Sequence, residues 1–126
     1  ALSSAASDVY KRQSYAKLGK YQEAVTRLED FKNCGDVMVS PAAIGALGNC
    51  YAELDQLDKA TSTLLEAAKK ADNNSLSPLY LIQAGEIFES QGKKDKALEC
   101  YKEIKTKYVN SMQYAEIDKY IERVSE

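Results

Sequence analysis

The chain has 126 residues, enough for one compact domain with a real core. Its 17 basic and 19 acidic residues leave a net charge of −2, without the basic excess of a nucleic-acid binder, so no nucleic-acid partner is expected. Histidine is absent, which removes the commonest general base and transition-metal ligand, and no apolar run approaches the roughly 18 residues of a membrane span.

The chain opens on Ala1-Leu2-Ser3-Ser4-Ala5-Ala6, which has neither the basic nor the apolar region of a signal peptide. From there apolar residues recur at helical rather than alternating spacing, and the two prolines and three of the six glycines (Gly19, Gly35 and Gly92) fall where helices should start or stop. Seven helices are expected, over about 5–17, 21–33, 41–53, 57–71, 78–90, 94–107 and 112–124.

A repeat emerges when Ala24, Ala60 and Ala97 are aligned, 36 and 37 residues apart. Each alanine follows a turn segment: Gly19-Lys20-Tyr21-Gln22-Glu23, Asp55-Gln56-Leu57-Asp58-Lys59 and Gly92-Lys93-Lys94-Asp95-Lys96. Four residues on stand Leu28, Leu64 and Tyr101, and three further Phe31, Ala67 and Ile104, all on one helical stripe. The helices before the second and third turns carry Leu47-Gly48 with Tyr51 and Ala84-Gly85 with Phe88. A small residue one turn before an aromatic lets paired helices approach closely. Both helices open on Ser-Pro, at Ser40-Pro41 and Ser77-Pro78, where serine serves as N-cap and proline suits the first helical position.

These residues resemble the tetratricopeptide repeat, with its period near 34, small-x-x-aromatic first helix and early alanine in the second. The resemblance spans roughly residues 14–111 and implies an all-α, right-handed superhelical stack of about three hairpins. The hairpins are repeat 1 at about 5–38, repeat 2 at about 41–74 and repeat 3 at about 78–111. A capping helix at 112–124 follows, with the stripe Tyr114, Ile117, Tyr120, Ile121 and Val124, while Asp118, Lys119, Glu122 and Arg123 face water. Departures are visible. Asp55 replaces a turn glycine, Lys94 replaces an apolar residue, and Lys11-Arg12 stand where the first copy needs an apolar-small pair. Residues 1–13 are thus either a polar-faced cap or foreign to the repeat, and the second reading is preferred.

Little in the chain suggests catalysis, and no catalytic residue, metal site or cofactor is assigned. Cys34, Cys50 and Cys100 are too few and too widely spaced for a disulfide framework or zinc site, and no histidine stands ready to activate a thiol. Asp72-Asn73-Asn74-Ser75 starts like a calcium loop, but Ser77 and Gln83 stand where its glycine and glutamate belong. Between Lys93 and Lys107 six lysines alternate with Asp95, Glu99 and Glu103, the pattern of a solvated helix face. Tyr10, Tyr80 and Tyr108 fit no repeat position and are candidate partner-facing aromatics.

The resemblance implies binding of a protein or peptide along the concave surface lined by the first helix of each hairpin. By position this groove comprises Val9, Tyr10 and Gln13, then Ala46, Asn49 and Glu53, then Leu79, Ile82, Gln83 and Glu86, with Gly45 and Glu89 alongside. Relatives that grip chaperone C-terminal carboxylates use lysine, asparagine and arginine here. This chain has Val9, Gln13, Ala46, Leu79 and Gln83, so no chaperone-tail binding is expected. An apolar upper lip and mildly acidic lower end suit an apolar or amphipathic segment with some positive charge. The other reading is a structural homo-oligomerisation module, a homodimer for instance, with no separate ligand.

The run from Tyr15 to Glu126, with Ala67-Ala68-Lys69-Lys70-Ala71-Asp72-Asn73-Asn74 and Asp118-Lys119-Tyr120-Ile121-Glu122-Arg123, is similar to the C-terminal part of bacterial YfgM-like proteins. Those carry an N-terminal membrane anchor, missing from this sequence, and assist secreted or envelope proteins. The resemblance implies a bacterial protein, either cytoplasmic or held at the periplasmic face of the membrane.

Overall fold

A computed structural model describes residues 2–32 and 39–125, with side chains from Lys17 onward. The described residues form six α-helices and one 3-10 turn, with no strand: α1 (Leu2–Lys32), α2 (Pro41–Glu53), α3 (Leu57–Ala71), α4 (Ser77–Ser90), α5 (Lys94–Lys107), the 3-10 turn Met112–Glu116 and α6 (Ile117–Val124). Each helix packs chiefly on its neighbours in sequence, as expected of a one-dimensional stack of hairpins.

Two hairpins, α2–α3 and α4–α5, repeat the same construction. Asp55 and Gly92 take left-handed backbone angles, with φ of 59° and 73°. The next amide then reaches back to a carbonyl one turn inside the helix: Gln56 N–H to Tyr51 at 2.9 Å and Lys93 N–H to Phe88 at 2.8 Å. These bonds satisfy carbonyls that the helix end leaves free. Asp55 therefore performs the turn that glycine performs in the other hairpin.

Close approach inside each hairpin depends on a missing Cβ. A Cβ on Gly48 would lie 2.8 Å from Leu64 Cγ, and one on Gly85 would lie 2.5 Å from Tyr101 Cε1. Leu64 and Tyr101 are the repeat-equivalent residues four positions after Ala60 and Ala97, and all four are fully buried. A third glycine joins the two hairpins. Gly45 on α2 would bring a Cβ to 2.3 Å from the ring of Tyr80 on α4. Tyr80, expected at a partner surface, is thus core at 5 % exposure, because its cavity lies on a helix 35 residues earlier in sequence. Gly45 is likewise removed from the groove set.

Local capping is partly as expected. Ser40 caps α2, its Oγ accepting from Ala43 N–H at 3.2 Å. Ser77 does not cap α4 but lies within it. Its buried hydroxyl donates to the Ala68 carbonyl at 2.7 Å and accepts from Asn73 N–H, tying the end of α3 to the loop. Asn73 Oδ1 takes over the turn, accepting from Ser75 and Leu76 N–H. Tyr108, also expected at a partner surface, is buried and donates to Asp72 at 3.0 Å. The would-be calcium loop is therefore engaged in holding α3, α4 and the end of α5 together.

At the far end Ile117 and Val124 of α6 are buried, and Tyr120 and Ile121 pack on the same core. Tyr114 stays exposed, because residues 112–116 wind as a 3-10 turn, capped by Ser111 Oγ on Tyr114 N–H, and leave the α-helical stripe. Arg123 does not simply face water. It returns to α4 and grips Glu89 with two hydrogen bonds of 2.9 and 2.7 Å.

The largest departure lies at the start. Helices expected over 5–17 and 21–33 are a single helix, so the first hairpin is not formed. Gly19 lies inside α1, exposed, with nothing within 4 Å of where its Cβ would be. One glycine in a helix costs only about 1 kcal/mol, and turning the chain there would be repaid only if the preceding segment could nest. Lys11-Arg12, in place of an apolar-small pair, offer no such seat. Residues 33–38, including Cys34 and most of the expected inter-repeat loop, lie outside the described residues.

Candidate protein-binding groove

The first helices of the two hairpins, α2 and α4, carry the groove expected from the sequence. Ser-Pro openings and short apolar stripes fix these helices in the stack, and their remaining faces reach solvent. Ala46, Asn49 and Glu53 are exposed on α2, as are Leu79 and Glu86 on α4, while Ile82 and Gln83 are half-buried. Asn49, Gln83 and Glu86 come together in one shallow groove, completed by Ile87 and Ser90. Leu79 and Ile82 lie nearer the start of α4, while Ala46 and Glu53 lie above and below Asn49 on α2; none of these four lines the groove. Side chains of Val9, Tyr10 and Gln13 lie outside the described residues.

Sequence reasoning missed Ile87 and Ser90 as lining residues. The helical step held the signal, since they follow Gln83 by four and seven positions. Gln83 also has a feature that sequence does not reveal: its Oε1 is buried and has no hydrogen-bond partner among the described residues. An orphaned buried acceptor is costly until a donor reaches it.

Glu89, assigned to the acidic end of the groove, is occupied elsewhere. Besides Arg123 it accepts from Tyr101 Oη at 2.6 Å. Arg123 in turn lies 4.9 Å from the Tyr120 ring centre, and that ring packs at 5.2 Å on Tyr101. Partial burial pushes the Glu89 carboxyl up, but hydrogen bonds from Arg123 and Tyr101 outweigh it and leave the pKa below the ordinary 4.5. A lowered folded-state value means that ionised Glu89 stabilises the fold fully above about pH 4.5 and progressively less as pH falls through the folded value. Urea midpoints of wild type and Glu89→Gln should therefore differ most at neutral pH and converge toward pH 3. A gap that widens on acidification would contradict the assignment.

Three of the six lysines from Lys93 to Lys107 are in ion pairs: Lys93 with Asp58, Lys105 with Asp118 and Lys107 with Glu103. The described thiols are poor nucleophiles. Burial, then Glu103 and Glu99, pushes Cys100 up to about 12, and burial with Glu53 raises Cys50. No cluster of three metal-binding side chains occurs among the described residues, and none of their helices is long and apolar enough to cross a membrane.

Residues 80–111, covering most of α4, the Gly92 turn and α5, match the family model for the tetratricopeptide repeat. The fold is a tetratricopeptide-like helical repeat. The α2–α3 hairpin repeats the packing of the matched segment through Gly48 on Leu64, as Gly85 packs on Tyr101. No curated protein and no solved structure gives a significant match to the chain. Tetratricopeptide repeats generally mediate protein–protein interaction, which makes the α2–α4 groove the natural candidate surface.

Proposed function

We propose that this chain is a protein-interaction scaffold that holds a peptide or helix of a partner in the groove between α2 and α4. The observation that carries the reading is the open, shallow groove in which Asn49, Gln83, Glu86 and Ser90 come together. Main-chain groups of a bound segment would pair with these polar side chains. Leu79 and Ile82, exposed and half-buried above, offer apolar contact, while Glu53 and Glu86 favour basic side chains. The occupant is accordingly an amphipathic segment with lysine or arginine near one end. The resemblance to anchored bacterial proteins suggests secreted or envelope proteins as its source.

Selection from a random peptide library tests this. Enriched peptides should combine apolar residues with basic ones, and their affinity should fall with salt. Asn49→Lys together with Glu86→Lys, two exposed positions that line the groove, should weaken them at least tenfold while circular dichroism stays unchanged. Equal binding by that variant, or no enrichment, would refute the groove.

A further inference from the structure

The register of Ala24, Ala60 and Ala97 places the end of α1, α3 and α5 as equivalent helices, so the two clefts between them can be compared position by position. Between α1 and α3 the chain fills the cleft itself: Tyr51 donates to Glu29, and Lys32 reaches Glu66 at 2.7 Å. Between α3 and α5 the equivalent positions, 36 or 37 residues on, hold Phe88, Leu65, Ala68 and Glu103. The ring has lost its hydroxyl, an alkyl chain replaces the carboxylate, and a buried alanine stands where a lysine would reach Glu103. A cavity of about 340 Å³ remains, lined by Leu65, Phe88, Lys96, Glu99, Cys100 and Glu103. Phe88 and Cys100 are buried and Leu65 is half-buried, so they give it an apolar floor. Glu99 and Glu103 lie about one turn apart on one face of α5, and Glu99 stands where α3 has Ser62. Glu103 pairs with Lys107 of its own helix at 3.4 Å, but that lysine is 63 % exposed and such solvated pairs are worth little. Lys96 lies about two turns from Glu103, 5.7 Å from the Phe88 ring centre, as Lys59 lies 5.6 Å from that of Tyr51.

We propose that this cavity receives a lysine of a bound protein segment, its stem on Leu65, Phe88 and Cys100 and its ammonium at Glu99 and Glu103. The chain's own Lys32 on Glu66 is the pattern for the contact, one repeat earlier. The chemistry of the walls agrees: a lysine lays its methylenes on apolar surface while its charged head stays at the wet rim, and two carboxylates there give charge-assisted hydrogen bonds. A cavity of this volume is at the small end of ligand sites, with room for one long side chain and a small apolar neighbour. The positive charge of Lys96 disfavours a second cation beside the first. The site stands on α3 and α5, apart from the groove between α2 and α4.

Titrating the labelled full chain with the blocked peptide acetyl-Leu-Lys-Leu-amide, read by amide chemical shifts, tests this. Shifts should centre on Leu65, Phe88, Glu99 and Cys100. The same peptide with norleucine for lysine keeps the stem without the charge and should bind about tenfold more weakly. Glu99→Gln together with Glu103→Gln should weaken the lysine peptide to the same extent and leave the norleucine peptide unchanged. Lys107→Gln, which frees Glu103, should tighten the lysine peptide, a gain that misfolding cannot produce. Equal binding of the two peptides, indifference to the paired glutamine variant, or shifts confined to other helices would overturn the proposal. Butylammonium chloride binding as tightly as the peptide would overturn its assignment to a protein segment. The Asn49→Lys, Glu86→Lys variant should bind the lysine peptide as wild type does, so this reading and that of the groove fail separately.

Discussion

Tyr101→Ala should lower stability by about 3–5 kcal/mol, the range for removing a fully buried aromatic. Tyr101 has no exposed surface and occupies the space left by Gly85. It also packs on Tyr120 of the capping helix and donates to Glu89. Its loss therefore opens a cavity at the junction of α4, α5 and α6 and removes one of the two partners of Glu89. The neighbours cannot close the gap easily, because Arg123 still holds Glu89 in place. Calorimetry or urea unfolding would register the loss. A cost below about 1 kcal/mol would mean that the ring is not the filler described here.

Gly85→Ala should also destabilise, by about 1–3 kcal/mol as an overpacked core, even though alanine is favoured over glycine within a helix by about 1 kcal/mol. The new Cβ would stand 2.5 Å from Tyr101 Cε1, 2.7 Å from Cζ and 3.0 Å from Oη. Such contact forces a shift, and the ring is pinned at its hydroxyl and its face. Gly19→Ala, where nothing lies within 4 Å, supplies the contrast. There the propensity gain stands alone and the chain should become more stable. Equal effects at the two glycines would mean that backbone preference rather than helix contact sets both.

Helices α2 to α5 were legible almost to the residue because independent signals agreed: proline at the first turn, small-aromatic pairs and alanines in register. The start was not. Gly19 and Gly92 look alike locally, and what separates them is whether the preceding helix has a face that can nest, Ala84-Gly85 in one case and Lys11-Arg12 in the other. Tyr80 looked spare because its cavity is made by Gly45 on another helix, a contact no local pattern encodes. The partnership of Arg123 with Glu89 was hidden for the same reason, since amphipathicity places Arg123 only on the outer side of α6. In the groove, the resemblance to the tetratricopeptide repeat was what put Asn49, Gln83 and Glu86 on one wall, since they lie on two different helices. That Gln83 keeps an unpartnered oxygen is a matter of three-dimensional packing alone.

The stack as described depends on side chains entering spaces that glycines leave open, and a double-mutant cycle of Gly85→Ala with Tyr101→Ala reads that dependence directly. With the ring removed, the added methyl has nothing to strike and partly fills the void. The two changes together should therefore cost less than their sum by at least about 1 kcal/mol, well outside the roughly 0.3–0.5 kcal/mol expected of independent sites. Strict additivity would contradict the nesting of α4 on α5.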